Sequence, residues 1–181
     1  MPRSRHLSVY LAALCLACAA CASDDDQPTS SPTTTAPQTT QSQQAADEQA
    51  LRDLAEDWYA ASDAIYQHRE DPARASDFLV DPYLAAYLER ATEVIDAGQV
   101  SERNEASSVL ITEVRVAGDY GTVVECVIDA DILRGPDGEV INDEVVASLI
   151  ESKAVRAEGG WKFAERRTLS EKLGGDECPL E

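Results

Sequence analysis

The chain has 181 residues, 34 acidic and 15 basic, for a net charge of −19. So negative a protein repels nucleic acid and anionic membrane surfaces, and no basic segment interleaved with aromatics offsets this. With 44% apolar residues it holds enough for one ordinary core, and its acids are spread along the chain, where they serve solubility.

Arg3 and Arg5 precede a run, Leu7 to Ala20, that is apolar except for Ser8 and ends in small residues. This pattern predicts a signal peptide over residues 1–20, since the run is shorter than the roughly 20 residues a spanning helix needs. Ser4 separates the two arginines, so there is no twin-arginine pair. Ala19-Ala20-Cys21 resembles the lipobox of bacterial lipoproteins, with Cys18 standing where that pattern has Leu. The rival thiol, Cys18, follows Leu16 and Ala17, and Leu16 is bulky where a small residue is expected. The resemblance implies lipid attachment at Cys21, anchoring to the cell membrane and an extracytoplasmic position. Two acyl chains anchor stably where one is marginal. The alternative is ordinary cleavage after Ala and release. Loss of residues 1–20 leaves 13 basic and 34 acidic residues, a net of −21.

Residues 21–44 read as a disordered linker. Asp24 to Gln44 is Thr, Ser, Pro and Gln without a large apolar residue, and Pro28, Pro32 and Pro37 interrupt any helix. As a flexible chain of about 20 residues it spans on the order of 25 Å. Thr33-Thr34-Thr35 has the composition of an O-glycosylated stalk.

Residues 45–181 form one domain, helical first and then stranded. Leu51, Leu54, Ala55, Trp58, Ser62 and Ile65 recur at helical spacing within a helix from about Asp47 to His68. Asp71-Pro72 opens a short helix to about Leu79, and Asp81-Pro82 repeats the signal before a stripe of Leu84, Tyr87, Leu88, Ala91 and Ile95 that ends at Gly98. The period then changes. Ser107 to Val116 is one strand, and Ala117-Gly118-Asp119 a turn. Tyr120 to Leu133 is a long strand whose buried face is read as Thr122, Val124, Cys126, Ile128, Ala130 and Ile132. Gly135-Pro136-Asp137-Gly138 turns the chain, a strand follows from about Glu144 to Ala157, and Gly159-Gly160 turns it again into a last strand, Trp161 to Thr168. The expected fold class is α+β: three N-terminal helices packed on one face of a curved, four-stranded antiparallel sheet.

The order of elements, the pair Trp58-Tyr59 and the ending Gly159-Gly160-Trp161-Lys162-Phe163 resemble the nuclear transport factor 2-like superfamily, over about residues 47–168. That resemblance implies a cone-shaped fold shared with ketosteroid isomerases and polyketide cyclases. Its members include enzymes, ligand carriers and assembly modules, so it names no function. The layout of lipobox, stalk and domain also looks like that of small bacterial lipoproteins.

The candidate residues divide between structure and chemistry. Cys126 and Cys178 are the thiols left besides Cys21 after maturation, and in an oxidising compartment they read as a disulfide; the alternative is two free thiols. His68, the only His of the mature chain, reads as a solvated helix-end residue. Asp129, Asp131 and Asp137 fail the calcium-loop pattern, because Leu133 stands at a ligand position, and read as a solvated strand face. Tyr59, Asp63 and Tyr66 share a helix face beside Trp58; enzymes of the resembled superfamily use Tyr, Asp and His in the cone, but that motif is not matched residue by residue. No catalytic residue, metal site or cofactor is assigned. Trp58, Tyr59 and Tyr87 are the candidate pocket lining.

The expectation is therefore a membrane-anchored, non-catalytic lipoprotein that binds an apolar small molecule or an envelope protein partner. The alternatives are an isomerase- or cyclase-like enzyme using the cone pocket, and an assembly module that forms a homodimer through the sheet.

Overall fold

The structure, a computed structural model, describes residues 38–175 and 177–178. The signal segment, Cys21 and most of the linker lie outside the described residues.

Helix α1 spans Gln38–Tyr66, so it begins earlier than the apolar periodicity indicates and takes in residues 38–44, which the sequence reading assigns to the linker. Those added turns contain no proline, and Gln43 and Gln44 donate to Asp47 and Glu48 one turn on, at 3.2 and 3.0 Å. Leu51, Leu54, Ala55, Trp58 and Ile65 all lie on the buried stripe. The helix ends at an exposed His68 in the left-handed region (φ 57°), where His68 N–H donates to Ile65 O and Arg69 N–H to Ala64 O. A 3-10 helix follows, Pro72–Asp77, capped by Asp71, whose carboxylate accepts from Ala73 N–H at 2.8 Å. Helix α2 is Tyr83–Asp96. The parallel with the first cap fails there: Pro82 occupies the capping position after a cis peptide bond, and no side chain caps the helix.

The strands are β1 Val100–Glu102, β2 Ser108–Ala117, β3 Tyr120–Asp129, β4 Ile132–Arg134, β5 Val140–Asn142, β6 Val146–Ala157 and β7 Gly160–Leu173. All ladders are antiparallel, in a four-stranded sheet of order β2-β3-β6-β7 and a three-stranded sheet of order β1-β4-β5. The α+β class and antiparallel pairing match expectation. The helical part is two α-helices and a 3-10 turn, and the small sheet is a correction. The strand expected over Tyr120–Leu133 breaks after Asp129 because side chains take its backbone donors: Asp131 N–H donates to Asp129 Oδ1 at 3.1 Å and Ala130 N–H to Ser107 Oγ at 3.0 Å. The chain leaves the large sheet there and pairs β4 with β1.

Register inverts the predicted faces of β3. Val123 pairs with Val114 and Ser152, and Glu125 with Ile111 and Ile150, so the helix-covered face carries Gly121, Val123, Glu125 and Val127. Val123 and Glu125 are 0% and 1% exposed. Gly121 lies under Leu51: a Cβ there would stand 2.6 Å from Leu51 Cδ1, so a larger residue would have to push that side chain aside. The last hairpin turns on Glu158-Gly159, with Gly159 at φ 90° and Gly160 already paired to Ala157. Thr112 in β2 and Ala164 and Leu169 in β7 are the extra residues of bulges, which bend the strands beneath the helices.

The core lies between the helices and the large sheet, around Leu51, Trp58, Leu79, Tyr87, Phe163 and Trp161. The opposite face carries ion pairs: Glu151 meets Arg167 at 2.9 Å and Arg115 at 3.8 Å, and Lys153 meets Glu165 at 2.9 Å. Cys126 on this face is bonded to Cys178, with Cα atoms 5.7 Å apart, so the C-terminal tail is tied to the sheet. Among the described residues no helix is long and apolar enough to cross a membrane.

Candidate functional site

On α1 the residues Arg52, Glu56, Tyr59, Asp63 and Tyr66 follow at three- and four-residue spacing, which places them on one face, beside the buried stripe. That face looks across to β2. Between them runs a cleft of about 510 Å³ lined by Arg52, Glu56, Tyr59, Ala60, Asp63, Arg103 and Val109 to Ile111. It continues toward β1 and the end of β3 as a second space of about 230 Å³, where Tyr66, Ser107, Asp131 and Arg166 enter the lining.

Ions hold the mouth. Arg103 Nη1 lies 2.6 Å from Asp63 Oδ2 and 3.9 Å from Asp131 Oδ2, and its other amino group donates to Ser107 O at 3.1 Å. Asp131 accepts from Asn104 N–H at 3.1 Å and from Ser107 Oγ. Burial raises the pKa of Asp63 despite the opposing pull of Arg103, and the nearby Asp131 and Asp129 add to the rise.

The inner end is closed by a second network. Tyr59 OH donates to Glu125 Oε2 at 3.1 Å, Ser152 Oγ donates to the same oxygen at 3.2 Å, and Arg166 Nη2 donates to Tyr59 OH. The Arg166 guanidinium also lies over the Tyr59 ring, 5.2 Å from its centre. Burial pushes the Glu125 carboxyl above its ordinary range, against Arg166 and the two hydroxyl donors. Burial likewise raises the Tyr59 hydroxyl, which stays protonated. Glu125 therefore sits behind Tyr59 and Arg166, and both of these line the cleft. A general base has to reach a substrate proton directly or through one water; this carboxylate is 1% exposed, with one oxygen held by two hydroxyls.

Of the three expected lining residues, only Tyr59 faces the cleft. Trp58 and Tyr87 are a correction: they are 2% and 8% exposed and pack edge to face with ring centres 4.7 Å apart, within the core. Tyr87 OH finds Ser62 Oγ at 3.2 Å, and burial raises its pKa. Asp63 and Tyr66 do reach the cleft, as their spacing with Tyr59 suggests. Asp129 and Asp131 do not share a strand face; Asp131 lies in the break after β3 and anchors the 104–107 loop. No group of side chains suited to a metal ion occurs among the described residues. Glu125 and Arg166 escape sequence reading because the alternation of β3 assigns the acid to the partly solvated set. The one available signal is an acid at the centre of the apolar run Val123-Val124-Glu125-Cys126-Val127, facing a basic pair in the last strand.

No family model matches the chain, and no curated protein does. Among solved structures it is similar to the intermembrane-space region of the chloroplast protein ARC6, with 17% identity and a TM-score of 0.60 over 68% of this chain and 97% of that one. A conserved protein from Planctomyces limnophilus matches with 19% identity and a TM-score of 0.47, over 67% and 94%. The likeness to the ARC6 region is one of fold.

Proposed function

We propose that the chain is a membrane-anchored extracytoplasmic lipoprotein with a nuclear transport factor 2-like domain, and that this domain holds an envelope protein partner in the cleft between α1 and β2 without catalysis. The observation that carries this is the form of the cleft. It is open along its length between α1 and β2, and its inner end is blocked by the Tyr59, Arg166 and Glu125 network. An apolar small molecule is the poorer occupant: Trp58, Leu79, Tyr87 and Phe163 fill the interior, and charged side chains line much of the cleft. The signal segment, Cys21 and the Cys126–Cys178 bond support the location, since a disulfide suits an oxidising compartment. Helices covering one face of a bulged antiparallel sheet, and the Gly-Gly-Trp-Lys hairpin, support the family.

The test is photocrosslinking in membranes of cells making the full chain. A photoreactive residue at Ala60 or Leu110 is expected to give a discrete protein adduct, and one at Arg115 on the opposite face is not. Equal labelling from both faces, or none from the cleft, would overturn the reading.

A second reading is favoured by one observation, the buried carboxyl of Glu125 with its raised pKa beside Tyr59. It is an isomerase- or cyclase-like enzyme. Turnover on isomerase or hydrolase substrate panels that disappears in Tyr59→Phe or Asp63→Asn would establish it against the binding reading. The ion pairs and tied tail on the outer face of the sheet weigh against a homodimer formed there.

A further inference from the structure

We infer that the partner enters the cleft as an extended, basic segment that adds a strand to the large sheet along Ser108–Ile111. The inference rests on the reading that the cleft holds a protein, and it names how that protein is held.

Among the described residues β2 is an edge strand, paired only with β3 within its sheet. At the other edge, β7 is covered over its start: Val80 N–H donates to Phe163 O at 2.9 Å, and Phe163 N–H to Phe78 O at 2.8 Å. Natural sheets guard their edges with bulges and charges, and β2 has both, but only in its second half. Thr112 is the bulged residue, its hydroxyl bonded to Val124 O at 3.0 Å, and Glu113 and Arg115 follow as an ion pair at 3.2 Å. The first half is Ser-Val-Leu-Ile, without a charge, and Leu110 is 65% exposed. The cleft touches Val109, Leu110 and Ile111 in succession. Successive side chains of a strand point to opposite faces, so a space that meets three in a row runs along the strand's edge. Four extended residues of a partner would cover about 13 Å of that edge.

The charge of the chain as a whole, −19, sets the charge of the occupant. Of the charges on α1, Arg52, Glu56 and Asp63 line the cleft, where Arg103 balances them, and Asp47 is paired with Arg156; the remaining acids, Glu48, Asp53 and Asp57, lie outside the lining. Of the other cations, Arg103 is bound to Asp63, and Arg166 at the inner end donates to the Tyr59 hydroxyl. An acidic strand would be repelled, and so would a second copy of this chain, whose net charge is −19. A segment that alternates apolar residues with Lys or Arg suits the exposed apolar edge and the negative field of the chain.

The probes are synthetic peptides of about seven residues, the length of an ordinary strand: one alternating Val and Lys, its counterpart N-methylated at alternate amides, and one alternating Val and Glu. Binding to the full chain in detergent is read by fluorescence anisotropy and amide hydrogen exchange. The Val-Lys peptide is expected to bind saturably, less tightly at high salt, and to slow exchange at residues 108–111 about tenfold. N-methylation is expected to weaken binding at least about tenfold, as is Leu110→Lys, which adds a like charge at an exposed position without burdening the core. The Val-Glu peptide is expected not to bind. Binding that tolerates N-methylation and leaves 108–111 unprotected would overturn strand addition while cleft crosslinks still support a partner. No binding up to about 1 mM would also overturn it. So would a dimer by native mass spectrometry that the peptide disperses, since the occupant would then be a second copy. Absence of cleft crosslinks in membranes would instead sink the partner reading itself.

Discussion

Glu125 is an acid in the middle of an apolar strand, and its environment makes a prediction with a definite sign. Burial holds its carboxyl above the ordinary range. The native state therefore keeps this proton to a higher pH than the unfolded chain does, so stability falls as pH rises from the ordinary Glu value through the raised one. Glu125→Gln cannot ionise and keeps an oxygen for the hydroxyls of Tyr59 and Ser152. Its stability relative to the parent is expected to improve as pH rises above the ordinary Glu value and to level off once the raised value is passed, measured by urea unfolding; a gap independent of pH would show that the carboxyl is unshifted. Asp47 acts in the opposite sense, because its hydrogen bond to Arg156 lowers its pKa and that contribution is lost on acidification. The difference between variant and parent removes this background. Glu125→Ala leaves the hydroxyls of Tyr59 and Ser152 without their acceptor and should cost about 3 kcal/mol. Gly121→Ala should cost about 1–3 kcal/mol by driving a methyl against Leu51, and Leu51→Val in the same chain should recover part of it. Additive losses would show that the contact is not the cause. None of this is readable from residue type. An acid in a strand is ordinarily solvated, and only the register that brings Ser152 and Arg166 beside Glu125 makes burial tolerable.

The elements differ in how far local sequence determines them. α1 and α2 announce themselves by apolar periodicity, and Asp71-Pro72 caps its helix as the pair suggests. Helix starts are less legible. α1 reaches back to Gln38 through polar residues whose periodicity carries no signal, and Asp81-Pro82, identical in composition to Asp71-Pro72, caps nothing. The faces of β3 are not legible in the sequence, because both alternating sets contain apolar residues and the choice between them depends on which side α1 occupies. The disulfide acts at this scale too. It closes a loop spanning 52 positions, and the chain-entropy relation gives about 4 kcal/mol for such a loop. Replacing both Cys126 and Cys178 by Ser should lower the urea midpoint accordingly, and reductant should lower the parent's to match. Midpoints unmoved by reductant would mean the bond contributes nothing.

For the whole molecule, charge sets the behaviour. At −19 the chain is expected to stay dispersed, and basic side chains do not hold it to a membrane; the anchoring proposed above rests on lipid. The full chain should sediment with membranes and carry the added mass of acyl chains at its mature N-terminus. Cys21→Ala should abolish that mass, and Cys18→Ala should leave it. Unchanged mass in Cys21→Ala would refute the lipobox reading.

The sequence by itself determined the class of the fold and the acidity of the chain, and offered Cys126 and Cys178 as a pair, because periodicity, composition and residue count are local or additive properties. The tertiary structure alone decided which face of β3 is buried, that Trp58 and Tyr87 fill the core while Tyr59 faces the cleft, and that β2 is an edge strand among the described residues. Each of these depends on register and on which element lies opposite, and those relations arise only when distant segments pack together.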